Sequence, residues 1–255
     1  MGDPPKLTYA GYLQLDALLG AQQPKSAEHD EMLFIVIHQV YELWFKQILH
    51  ELARLQQLME AGDTTHSMRT LRRVLAILKI VVAQLDVLET MTPTQFRTFR
   101  DRLGTSSGFQ SNQFRELEAV LGRRDFPDWA PAPQAANHPS VFDSYLSYLA
   151  TQGYQIPARL RERDVTVPVA ASPEMQQVLK QVYDDDSAAV AVSELLVDLD
   201  EGVQEWRYRH VKMVERTIGG QRGTGGSGGA SYLASTLGKP TFPDLWAVRT
   251  LGLAR

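Results

Sequence analysis

From Asp30 to Ala61 the chain reads "DEMLFIVIHQVYELWFKQILHELARLQQLMEA", with neither glycine nor proline until Gly62. At 1.5 Å per residue such a run makes a helix of about 45 Å, longer than the diameter of a small domain. The rest of the chain must therefore be laid along this rod. Asp30 reads as its N-cap, being a short acidic residue just before the apolar pattern begins. The first half of the run is apolar on nearly every side. A helix of that kind lies in the centre of a bundle or against a partner, not on a surface.

Helical spacing continues almost everywhere else. Residues 65–91 carry Leu71, Leu75, Leu78, Val82, Leu85 and Leu88 three and four apart. Thr92 and Pro93 restart a short helix, since threonine caps and proline fits a first turn, and Gly104 stops it. "SNQFRELEAVL" predicts another helix ending at Gly122, and "SVFDSYLSYLATQG" and "PEMQQVLKQVYDD" predict two more. A second long helix is expected from Ser187 to Gly219, with Trp206, His210 and Val214 on its apolar stripe. Residues 123–139 form a proline-rich loop. "YQIP" and "RDVTVPVAASP" are the only stretches where a strand competes, and they read as loop. No internal repeat is present. The expectation is an all-α, bundle-like single domain over residues 1–255.

Composition excludes several classes of function. The chain has no cysteine, which removes disulfides, zinc–thiolate sites and iron–sulfur clusters. A net charge of -4 argues against a broadly basic nucleic-acid surface, and Arg69, Arg72 and Arg73 read as a solvated helix face. No secretory pattern opens the sequence and no run is apolar enough to span a membrane, so an intracellular, cytoplasmic protein is expected.

The candidate chemistry lies in a few residues. Four histidines, His29, His50, His66 and His138, sit at helix ends, on polar faces or in a loop, where imidazoles are solvated. His38 and His210 lie inside the two long helices on their apolar sides, where a ring nitrogen must find a partner or cost stability. Histidine pairs and carboxylate loops of known metal spacing are missing, so a metal here would rest on a single imidazole, the arrangement used by haem. A core histidine bonded to a neighbour is the competing reading for each. The segment "GQRGTGGSGG" looks like a linker by composition. It fails as a phosphate loop because a helix precedes it and no lysine follows the glycines. Arg100, one turn after Phe96, is either an exposed side chain over a ring or a fork for a carboxylate.

The blocks "HDEMLFIVIHQVYELWFKQ", "FRDRLGTSSGFQSNQFRELE" and "WRYRHVKMVERTIGGQRGTGGSGG", with "LTYAGYLQLDALLGAQQP", "YLASTL" and "FPDLWAVRT", resemble the signature blocks of the tryptophan 2,3-dioxygenase family. The resemblance covers most of the chain and is weakest over residues 123–185. It implies an all-helical haem b enzyme, a homotetramer built as a dimer of dimers, that opens the indole ring of L-tryptophan with dioxygen to give N-formylkynurenine. It further implies that His210 is the axial iron ligand and that His38 is the distal residue meeting the indole N–H. Phe34 and Phe96 would line the aromatic pocket, Arg100 would pair with the substrate carboxylate, and Thr224 would hold the ammonium. Ser107 and Gly108 would border haem and dioxygen. The N-terminal segment, residues 1–29, would carry Tyr9 and Tyr12 into a neighbouring subunit's site, and residues 219–230 would form an active-site loop, mobile when empty and ordered by substrate. Two alternatives stand beside this: a monooxygenase of the same superfamily acting on tryptophan or a derivative, and a non-enzymatic helical scaffold, which would be colourless.

Overall fold

A computed structural model describes residues 6–126, 131–226 and 228–252. Among these there is no strand, as expected. Two short helices, α1 (Tyr9–Leu13) and α2 (Leu15–Leu19), precede the long α3 (His29–Glu60). Next come α4 (Thr64–Leu88), α5 (Pro93–Arg100), α6 (Asn112–Leu121) and α7 (Val141–Thr151). After a single-turn α8 (Ala158–Arg161) and α9 (Pro173–Asp184), the second long helix α10 (Ala188–Ile218) crosses the molecule. Two short helices, α11 (Ala230–Ala234) and α12 (Pro243–Ala247), close the chain. The stretches "YQIP" and "RDVTVPVAASP" are loop as read, save that the last residue of the second, Pro173, opens α9.

The architecture follows from the two rods. Helix α4 packs between α3 and α10, while α6 and α7 cover other faces of α3. The apolar ladder of α4, Leu71, Val74, Leu78, Val81 and Leu85, is buried, and Leu52, Leu55 and Met59 of α3 are fully enclosed. Each such side chain contributes roughly 1.5–3 kcal/mol of burial. Turn chemistry sets the order of the helices. Gly62 takes φ 72 between α3 and α4, and a Cβ there would come within 2.7 Å of the Thr151 hydroxyl on α7. Asp63 then caps α4 by accepting the amide of His66. Thr92 and Gln95 close a capping box with Pro93 in the first turn of α5, and Gly122 ends α6 in the left-handed region.

Two boundaries and the enclosure of α3 differ from expectation. Helix α3 starts at His29, so Asp30 lies in the first turn and does not cap it. The reason is Glu31, whose buried carboxylate accepts from the amides of Lys25 and Ser26 and from the Ser26 hydroxyl, fixing the incoming strap. Asp30 still gains from the helix dipole. Helix α4 stops at Leu88 and Met91 lies beyond it. The first half of α3 is not enclosed on every side either: Met32, Val36 and Leu43 are exposed.

The return of the chain is anchored on α10. Asp200 is buried and its Oδ2 accepts from the amides of Thr241 and Phe242 and from the indole N–H of Trp246. This staple holds the start of α12 against α10, while α11 packs on α10 separately and brings Leu233 beside His210.

Candidate active site

His38 on α3 and His210 on α10 face one space. Two adjoining compartments of about 1070 and 920 Å³ are both bordered by these two rings, together with Leu88, Gly108, Phe109, Met213 and Leu233. The larger compartment runs between α3, α6 and α10, past Tyr41, Phe45, Phe114 and Trp206. The smaller one opens toward α5 and the glycine-rich loop.

The two imidazoles are prepared differently. His38 Nδ1 lies 2.7 Å from the carbonyl oxygen of Phe34, one turn back on the same helix. A carbonyl only accepts, so Nδ1 carries the proton and Nε2 is left with its lone pair as an acceptor. The ring also packs on Phe34, with centroids 4.1 Å apart. His210 has no hydrogen bond to a described residue; its ring stacks on Trp206 at 4.9 Å and 27°. Desolvation lowers the pKa of His38 and pushes that of His210 down to about 4, with the charge of His38 adding to the second shift. Both rings are therefore neutral near pH 7.

This has a sign that can be measured. A histidine with a depressed folded pKa contributes stability that is complete above the unfolded value of about 6.5 and is lost as pH falls toward the folded value. From His210 alone the ligand-free protein is expected to lose about 2 kcal/mol between pH 7 and pH 5, with His38 adding in the same direction. Urea unfolding at the two pH values checks this; a stability that stays flat over the interval rules it out.

The remaining predicted residues divide into two groups. Phe34, Phe96, Arg100, Ser107, Gly108 and Thr224 all border the smaller compartment. Phe34 and Phe96 are 5.7 Å apart, and buried Phe99 meets each of them edge-on. A Cβ on Gly108 would find nothing within 4 Å, so the space beside it belongs to the cavity and not to protein. Arg100 Nη1 donates to Oε1 of Gln221, and Nη2 donates to the carbonyl of Arg222 at 2.7 Å. The hydroxyl of Thr224 donates to the carbonyl of Ser106. Tyr9 and Tyr12 form the other group: both are exposed on α1 and neither borders the compartments of its own chain.

The glycine-rich segment is thus folded against the site and is not a free spacer. A Cβ on Gly225 would come within 2.8 Å of Ser107 Cβ, and one on Gly229, at φ 64, within 2.5 Å of the Gln221 carbonyl. Glycine is required at these two positions for backbone approach and for the positive φ.

Several residues of the site carried no signal of their own in the sequence. Tyr41 and Phe45 follow His38 at helical spacing, and Trp206 and Met213 flank His210 in the same way. Three residues lining the larger compartment carry a buried polar atom with no partner among the described residues: the hydroxyl of Tyr41, the indole N–H of Trp206 and Nε–H of Arg207. Glu118 accepts from Arg207 at 2.9 Å and from Arg123 at 2.7 Å, forming a buried triad at the end of the larger compartment. Unpaired donors, aromatic and aliphatic walls and one partnerless imidazole suit a flat, mostly apolar cofactor that brings acceptor groups and binds axially. No group of three metal-ligating side chains for a bare ion occurs among the described residues.

A model of the family described as tryptophan 2,3-dioxygenase matches residues 3–128 and 174–251. The chain belongs to this family. It is 60% identical over 253 residues to a tryptophan 2,3-dioxygenase of Anaeromyxobacter dehalogenans, covering 95% of each chain. The corresponding protein of Herpetosiphon aurantiacus is 56% identical over 254 residues, with 95% of this chain and 97% of that one covered. That of Caulobacter vibrioides is 45% identical over 257 residues, with 96% and 98% covered. The stretch unmatched by the family model contains α7, which packs on α3, and α8, which packs on α7; neither borders the two compartments. The family-matched segments contain every residue that borders the smaller compartment.

Proposed function

We propose that the chain binds haem b between α3 and α10, with His210 as the axial ligand, and uses it to open the indole ring of L-tryptophan with dioxygen, giving N-formylkynurenine as in tryptophan catabolism by the kynurenine route. The observation that carries this reading is the pair of neutral histidines facing one cavity, His210 with no hydrogen-bonding partner and His38 with its partner. When bound, haem supplies the oxygen chemistry. The protein's part is to bind and orient. Arg100 takes the amino-acid carboxylate by its fork, and Thr224 takes the ammonium. Phe34 and Phe96 line the indole pocket, and Nε2 of His38 accepts the indole N–H. Fixing both ends of the substrate makes a bimolecular attack nearly unimolecular, an effect worth up to about 7–11 kcal/mol. Residues 219–226, lying over the smaller compartment, exclude water, and Ser107 and Gly108 leave room for dioxygen.

The exposed apolar side chains support the oligomeric part of the proposal. Tyr9, Tyr12 and Leu19 on the N-terminal strap, and Met32, Val36 and Leu43 on α3, are apolar surface that a second copy would cover. A homotetramer formed as a dimer of dimers, with Tyr9 and Tyr12 reaching a neighbour's site, accommodates them. No helix among the described residues is long and apolar enough to cross a membrane, and a cytoplasmic enzyme is proposed.

The deciding experiment supplies the haem-loaded, reduced protein with L-tryptophan and isotopically labelled dioxygen and weighs the product. Two labelled oxygen atoms are expected. One labelled atom would establish a monooxygenase in its place, and a protein that takes up no haem would sink the proposal.

A further inference from the structure

The loop is tied to the same guanidinium that the proposed function reserves for the substrate. Arg100 places its two terminal nitrogens on two oxygens, the side-chain amide oxygen of Gln221 and the main-chain carbonyl of Arg222. A carboxylate completes the same fork with its own two oxygens. Both loop partners are neutral, so each makes a weaker bond to the guanidinium than a carboxylate oxygen would. Thr224, proposed to hold the other end of the amino acid, is likewise engaged, with the carbonyl of Ser106. The two groups that would grip a substrate are both occupied by protein oxygens.

Of the two oxygens on Arg100, one belongs to the backbone and the other to an exposed side chain that only position 221 supplies. The segment bearing it is hinged: Gly219 has φ 58 and Gly226 φ 80, and a Cβ on Gly219, Gly220 or Gly226 would meet nothing within 4 Å. Rotating the exposed Gln221 side chain off Arg100 breaks that one hydrogen bond, while Arg222, Thr224 and Gly225 can keep their contacts until the carboxylate displaces them.

We propose that Gln221 is a competitive latch on Arg100. Its amide oxygen stands in for one oxygen of the substrate carboxylate, and binding exchanges the one for the other. Position 221 thus sets both affinity and selectivity: an amino acid displaces the amide, while the corresponding amine, lacking a carboxylate, has nothing to offer Arg100. The inference rests on the reading of Arg100 as the carboxylate clamp.

Equilibrium dialysis of the haem-loaded protein with L-tryptophan and with tryptamine tests it without requiring turnover. Gln221→Ala is expected to tighten L-tryptophan binding about three- to tenfold, the range of one ordinary hydrogen bond. Gln221→Glu, which puts a carboxylate in the latch, is expected to weaken it about tenfold or more. Tryptamine binding should be the same in all three proteins. Weaker L-tryptophan binding in Gln221→Ala would mean that the loop holds the substrate and does not compete with it. Equal shifts for both ligands would mean a general effect of the loop. Either result overturns the latch. A preference for L-tryptophan over tryptamine that survives Arg100→Leu would overturn the clamp and the latch together.

Discussion

The His210→Ala protein is expected to fold and to bind no haem. His210 is the cavity-facing imidazole with no hydrogen bond of its own, and stacking on Trp206 fixes the ring without occupying either nitrogen. Helix α10 does not depend on it. Arg207 holds α10 to Glu118 on α6, Arg209 holds it to Asp86 on α4, and Asp200 staples the chain terminus to it. A haem held only by the folded state would raise the melting temperature of the wild-type protein in a concentration-dependent way. The variant should show neither that rise nor the Soret absorption, while its far-ultraviolet circular dichroism stays that of a helical protein. His210→Gly should recover a Soret band when free imidazole is added, because the deleted ring leaves a space of its own shape. A His210→Ala protein with an unchanged haem spectrum would remove His210 from the axial position.

Arg100→Leu should leave stability within about 0.5 kcal/mol, because among the described residues the hydrogen bonds of Arg100 go to the loop alone. Its effect falls on the substrate. A carboxylate brought to the smaller compartment without its guanidinium is left unpaired, and removing one member of such a pair costs about 3–5 kcal/mol when enclosed. Arg100 is partly open to solvent, so the lower end applies, and kcat/KM should drop by about 10²- to 10³-fold. Arg100→Lys keeps the charge but loses the two-pronged geometry, and its activity should lie between the two. If lysine restores full activity, charge alone suffices and the fork has no role. If leucine has no effect on kcat/KM, the carboxylate binds elsewhere.

These two residues also show how unevenly the site could be read. His210 and His38 stand out in sequence because an ionisable ring on the apolar stripe of a long helix needs an explanation from its neighbours. Arg100 does not, since an arginine near the end of a short helix is ordinary. Its position after Phe96 left a solvated side chain and a carboxylate fork both open, and only the fold brings it to the same compartment as Thr224. Trp206 and Tyr41 lay one turn from the histidines and read as core aromatics; their unpaired N–H and O–H groups appear only once the cavity exists. Asp30 was misread because a cap is decided by which side chain reaches the free amides, and Glu31 draws the preceding strap into a geometry that Asp30 does not need.

The segment "GQRGTGGSGG" marks the boundary between the two sources of information. Composition allows a linker there, because glycine and serine by themselves impose no contacts. Contact with Ser106, Ser107 and Arg100 makes it a wall of the site, and those partners are more than a hundred residues away in sequence. Local regularities were readable from the chain alone: helical period, capping residues, the lack of cysteine and the two anomalous histidines all depend on neighbours within a turn or two. Which histidine keeps a free nitrogen, which arginine meets the loop and which donors go unpaired depend on how α3, α5, α6 and α10 pack. Such long-range juxtapositions are set by the burial of whole helix faces, and no local pattern of residues encodes them.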